Sequence, residues 1–258
     1  MMEFGLNLYS IRNLIKTEEE FLTAANSLRE MGYDYMQFSG ASFDADLIAR
    51  VSRESGLPTV LTHVPLDRII DDVDALMEEH SRFGCTRIGV GGMGYKIMSD
   101  EKTYKETVEK MNASAEKMAA NGFSFFYHNH HTEFYKHGDQ TIIDYMIENA
   151  PAINFTLDTY WVQYGGASIS DYVKKLSGRI ECVHLKDYRV NLSIAEDKIK
   201  FDPIYAPVGD GNIDFKKLIP EMISAGTKYF IVEQDNAATL PDTLGQVERS
   251  VKYLKGEF

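Results

Sequence analysis

Residues 123–135 read FSFFYHNHHTEFY. Apart from Ser124, the run from Phe123 to Tyr127 is aromatic without alternation, which fits a strand buried on both faces. Strands usually end in turn formers, yet this one ends in His128, Asn129, His130, His131 and Glu133. Imidazoles and a carboxylate packed so closely at a strand tip suggest metal binding or proton transfer. Whether they form a site depends on whether other strands end the same way.

Outward from this stretch the same pattern repeats in both directions. Short apolar runs fall at 3–9, 33–40, 58–65, 87–92, 124–130, 154–161, 180–187 and 228–235. Helical patterns follow at 17–32, 44–55, 67–82, 100–121, 139–149, 168–176, 214–225 and 239–255. Thr17 and Glu20 have the spacing of a capping box, and Gly32, Gly56 and Gly122 stand where helices should stop. Pro220 should kink its helix or shorten the first turn. Residues 188–213 lack either pattern and read as one long irregular loop, of the kind that serves as a lid or flap.

Strands alternating with helices imply parallel pairing through right-handed crossovers. Eight such units in 258 residues fit the α/β class as a closed (β/α)8 TIM barrel, a single domain over 1–258. An open doubly wound sheet is the alternative.

Active sites of such barrels lie at the C-terminal strand ends. Those ends carry Asn7, Gln37, His63, His128, His130, Glu133, Asp158, His184, Lys186, Glu233 and Asp235. Side chains alternate along a strand, so His128 and His130 share a side, as do His184 and Lys186, and Glu233 and Asp235. The fifth to eighth strands thus each bring a candidate ligand to one rim. One or two imidazoles with two or three carboxylates suit Mn²⁺, Co²⁺ or Mg²⁺, and could hold Zn²⁺. A cation there would polarise a carbonyl and an adjacent hydroxyl and stabilise an enediolate. His128, His130, Lys186 or a free oxygen of Glu233 could act as acid or base.

The bland readings are weighed beside these. Asp158 lies too far before Ser168 to cap the helix there. A buried, unpaired Glu233 would cost several kcal/mol, so a partner cation is expected. Lys186 could simply pair with a rim carboxylate. Asn7, Gln37, His63 and Trp161 read as substrate contacts. His80 and His137 read as solvated, and Met111 and Met118 as core packing.

Composition excludes several classes. The chain has 39 acidic and 27 basic residues and a formal charge of −12, which disfavours nucleic acid as a partner. Cys85 and Cys182 make no disulfide framework. The start, MMEFGLNLYSIRN, lacks the form of a signal peptide, and no apolar run approaches the roughly 18 residues of a membrane span. A soluble, cytoplasmic protein without a membrane partner is expected. GVGGMG at 89–94 is outside the GxGxxG register, and no GxxxxGK[ST] phosphate loop occurs.

The chain resembles the sugar phosphate isomerase/epimerase family of xylose isomerase-like TIM barrels along nearly its whole length. GLNLYSIR, YHNHHTEF, LDTYW, HLKD, PVGDGNIDF and VEQD together carry the resemblance. It implies a divalent metal, Mn²⁺ foremost, held by Asp158, His184, Glu233 and a fifth-strand ligand. That ligand is Glu133 as a carboxylate or His128 by position, with Glu133 favoured and His128 and His130 left for proton transfer. It also implies a small carbohydrate substrate and commonly a homo-oligomer. The family's ketose 3-epimerases carry a glutamate near the position of His128 and a histidine where this chain has Trp161. The pattern is more similar to the inosose dehydratase-like and keto-glycoside-processing branch. Two chemistries remain: isomerisation or epimerisation of a sugar, and elimination from an inosose or 3-keto-glycoside. A phosphodiesterase of the endonuclease IV branch would need more ligands and a basic groove.

Overall fold

The computed structural model describes residues 2–195 and 198–258. Among these residues, eight parallel strands close into a barrel: Phe4–Asn7, Tyr35–Phe38, Thr59–His63, Arg87–Val90, Ser124–His128, Asn154–Asp158, Cys182–Leu185 and Tyr229–Val232. The first strand pairs with both the second and the eighth, so no edge is left open. The (β/α)8 barrel is therefore the fold, and the open sheet is excluded.

Local chemistry sets the helix boundaries. Thr17 and Glu20 form the reciprocal capping box at the start of Glu18–Met31, and Gly32 ends that helix with φ of 100°. Asp44 caps Ala45–Ser55 and Asp100 caps Glu101–Ala120 through one-way bonds, each carboxylate accepting backbone N–H from the first turn. The helix Phe215–Ser224 continues through Pro220.

Three expectations are revised. The helix expected at 67–82 is two, Leu66–Asp71 and Val73–Ser81, broken where Asp72 leaves helical geometry at φ −137° and ψ 32°. The sixth strand stops at Asp158, not Trp161, because the Asp158 side chain caps a short helix, Thr159–Tyr164. The 188–213 segment is irregular only after residue 206 among the described residues. Asp187–Ala195 and Lys198–Ala206 pair as a long antiparallel hairpin, while residues 196 and 197 lie outside the described residues.

The hairpin is anchored at its base by one carboxylate. Asp187 accepts backbone N–H groups of Tyr188, Gly209, Gly211 and Ile213 at 2.8–3.2 Å. A Cβ on Gly211 would collide with that carboxylate, so only glycine lets the chain approach it.

The core has two layers. Phe125, Tyr127, Phe155, Leu157, Val183, Leu185, Phe230 and Val232 face the helices. The alternate residues Phe126, Cys182 and Ile231, with Tyr35 and Leu61, fill the barrel interior. Gly5 makes room for the Tyr35 ring, whose hydroxyl accepts the Phe230 N–H at 2.8 Å. One step further up the same inward stripes stand His128, Asp158, His184 and Glu233. The period of two that builds the apolar floor thus also aims these polar side chains inward.

His80 is a further correction. It is fully buried, not solvated, with its ring between Thr62 Oγ1 at 2.7 Å and the Leu76 carbonyl at 2.6 Å.

Candidate metal centre

Strand register brings the four inward groups to one level. His128 ends the fifth strand, Asp158 pairs in register with His184, and Glu233 follows Val232 at the end of the eighth. His128, Asp158, His184 and Glu233 each offer a ligand atom within 4.8 Å of the others, and all four are buried.

His184, Glu233 and Asp158 each have one polar atom committed outside the cluster and one left facing it. The Gln37 Oε1 accepts from His184 Nε2 at 2.7 Å, so the Nδ1 lone pair is free. The Asn7 amide donates to Glu233 Oε1 at 2.8 Å, which leaves Oε2 inward. Asp158 Oδ1 accepts the Trp161 N–H at 2.9 Å, and Oδ2 lies 3.3 Å from His128 Nε2. The Asn129 side chain holds the Asp158 backbone N–H at 3.0 Å. Asp158 is therefore both a helix cap and a member of the cluster.

His184 Nδ1 and Glu233 Oε2 stand 2.8 Å apart, both buried and neither with a hydrogen-bond partner. Two lone pairs facing at that distance repel unless a proton or a metal cation lies between them. Outer partners that fix the ligand orientation, such as Gln37 and Asn7, are what a metal site requires. The donor set therefore fits a divalent ion.

Lys186 Nζ contacts the same group, at 3.3 Å from Asp158 Oδ2, 3.1 Å from Glu233 Oε2 and 2.9 Å from Asp235 Oδ1. Burial opposes its charge, but the three carboxylates outweigh burial and hold the ammonium pKa well above the usual lysine value. Burial also raises Asp158 and Asp235 above the ordinary aspartate range. Burial lowers His128 and His63 well below the ordinary imidazole value, so both are neutral and able to offer lone pairs.

Other expected site residues take different positions. Glu133 is not brought into the cluster. Its oxygens accept from the Tyr127 hydroxyl at 2.7 Å, the His130 N–H at 2.9 Å and the Thr132 hydroxyl at 3.0 Å. Asn7 and Gln37 turn toward Glu233 and His184. His63 stands in the wall, its ring 5.3 Å from that of His128 and its Nε2 unpartnered. His130 lies between the rings of His128, at 4.6 Å, and Trp161, at 5.3 Å. Trp161 also packs 5.0 Å from Lys186 Nζ. Asn129, Tyr160 and Tyr205 had no assigned role. Tyr205 reaches the lysine from the hairpin, with its ring 5.7 Å from Nζ. Asn129 had a legible signal, an amide directly after an apolar strand; Tyr205 lay in the segment read as irregular.

A groove of about 560 Å³ opens on the same rim, with Tyr95, Met98, His131, Phe134, Tyr135 and Tyr164 among its walls. None of the four clustered residues lines it.

The sequence pattern of xylose isomerase-like TIM barrels matches residues 25–256. An inosose dehydratase of Clostridium perfringens is 24% identical over 263 residues, covering 97% of this chain and 85% of that protein. The inosose dehydratase of Geobacillus thermodenitrificans is 24% identical over 172 residues, and that match spans only 56% of its length. A sugar phosphate isomerase/epimerase from Parabacteroides distasonis superposes with a TM-score of 0.78 at 18% identity, covering 98% of this chain and 93% of that one. A xylose isomerase-like TIM barrel protein from Mycobacterium smegmatis, solved in complex with magnesium, superposes with a TM-score of 0.72 at 14% identity, covering 98% and 95%. At these identities the superpositions establish a shared fold.

Proposed function

The chain belongs to the xylose isomerase-like TIM barrel family, and from that premise we propose that it is a divalent-metal-dependent isomerase or epimerase of a small sugar or keto-sugar. The observation that carries this reading is the pair of inward-facing atoms, His184 Nδ1 and Glu233 Oε2, which make no hydrogen bond although Lys186 ion-pairs with the oxygen, inside a buried group of two imidazoles and two carboxylates. His128, Asp158, His184 and Glu233 would hold the ion, with Mn²⁺ favoured and Co²⁺, Mg²⁺ or Zn²⁺ as alternatives. Bound there, the ion would supply Lewis acidity that stabilises an enediolate formed beside a carbonyl. Gln37 and Asn7 keep the ligand atoms aimed inward. His130, outside the ligand group, takes the proton, and His63 and Trp161 form walls for the substrate.

Elimination is the second reading, supported by Lys186 and by the full-length similarity to inosose dehydratase. Lys186 shares the oxygens that would hold the ion. With those oxygens engaged, its ammonium would keep its proton less tightly and could pass it to a departing hydroxyl.

Metal content of the folded wild type is compared with Asp158→Asn and Glu233→Gln, with folding checked by circular dichroism. About one ion per wild-type chain, lost in both variants, is the expected result. No ion even after reconstitution, or equal binding in all three, refutes the reading. Product mass from keto-sugars and inososes then separates the chemistries, since isomerisation conserves mass and dehydration loses one water.

A further inference from the structure

We propose that the hairpin Asp187–Ala206 is a self-association surface, through which two copies of this chain pack ribbon on ribbon. The pairing register sets Val190 opposite Pro203, Leu192 opposite Phe201 and Ile194 opposite Ile199. Cross-strand partners share a face, and every second residue repeats it. One face is therefore wholly apolar, while the intervening pairs, Asn191 with Asp202 and Ser193 with Lys200, put polar groups on the other.

The apolar face is the one left in solvent. Val190, Leu192, Ile194, Ile199 and Phe201 are 52–70% exposed. A lone two-stranded ribbon is at best marginally stable in water, and a contiguous apolar patch of this kind marks an interaction site. Asp187 secures the base of the hairpin, but nothing described covers its outer length.

Three features select a second copy as the occupant. A chain with a formal charge of −12 repels its own copies over most of its surface, and this face carries no charge. The face is also self-complementary. A two-fold axis at the Leu192–Phe201 pair sets that pair on its counterpart and brings the smaller Val190–Pro203 end against the larger Ile194–Ile199 end. Complete burial of these residues on both copies would remove at most roughly 1,200 Å², the low end of specific interfaces.

The full chain is followed by sedimentation velocity from low to high micromolar concentration, beside the double variant Leu192→Asp, Phe201→Asp. A concentration-dependent dimer in the wild type and a dissociation constant raised at least about 100-fold in the variant are expected. Unchanged circular dichroism in the variant shows that the barrel is intact. A Leu192→Cys variant adds a positional test: oxidation should link two chains at that site, since Cys85 and Cys182 are buried. A wild type that stays monomeric overturns the proposal and leaves the face for another protein or a lipid surface. A dimer that survives the double variant, or fails to cross-link through position 192, overturns it by placing the interface elsewhere.

Discussion

Glu133 and His128 pose a choice that the hydrogen bonds resolve into a test. Glu133 is saturated by three donors, whereas His128 Nε2 faces Asp158 across 3.3 Å. Glu133→Gln should keep the metal but lose about 1–3 kcal/mol of stability, because an amide cannot accept from all three donors. His128→Ala should weaken metal binding beyond the roughly 10- to 100-fold expected for Gln37→Leu, which only disorients His184. Titration calorimetry on the three variants checks the order; a Glu133→Gln protein without metal would reverse the assignment. His80 gives a pH prediction remote from the cluster. Burial lowers its pKa to about 4 from the ordinary 6.5. The unfolded chain therefore binds more protons between these values, and stability falls as the pH drops through that window. The loss should reach about 2 kcal/mol by pH 5, relative to neutral pH, and be absent from the His80→Gln variant. Urea unfolding at both pH values measures it.

At the scale of the element, the hairpin depends on a small number of bonds at its base. Asp187→Ala removes the acceptor of four backbone N–H groups. Each of these bonds to a charged acceptor is worth about 1.5–3 kcal/mol. The expected outcome is local: proteolytic cleavage within 187–213 at least about tenfold faster, with the barrel transition shifted far less. Cleavage unchanged from wild type would show that Tyr188 and Tyr205, packed on Tyr160 at 5.1 and 4.9 Å, hold the hairpin without the carboxylate. The same hairpin marks where pattern reading failed. Val190, Leu192 and Ile194 alternate with polar residues, but Pro203 and the charged residues between them masked the return strand. The helices were easier, since Thr17, Asp44, Asp100, Gly32 and Gly56 act through local bonds and φ preferences.

For the whole molecule, the proposed metal site ties ion binding to the stability of the barrel. The cluster draws one residue from each of four neighbouring strands, so an ion held there couples them. A ligand that binds only the folded state stabilises it by about 2.7 kcal/mol at 100 times its dissociation constant. Chelation should therefore lower the melting temperature of the wild type and leave Asp158→Asn nearly unmoved; equal shifts in both would mean that no ion is held at this site. Among the described residues no helix is long and apolar enough to cross a membrane.

The sequence alone determined eight alternating strand–helix units, because apolar runs and the caps between them act over a few residues; that the parallel sheet closes, and does not stay open, was decided by the pairing of the first strand with the eighth. The sequence also determined that Asp158, His184 and Glu233 sit at strand ends. Only the tertiary structure decided the rest. Strand register and side-chain direction chose His128 over Glu133 for the cluster, turned Gln37 and Asn7 toward His184 and Glu233, and buried His80 against Thr62. Those choices are made between residues far apart in the chain, where hydrogen bonding across the closed barrel, and not local pattern, sets the geometry.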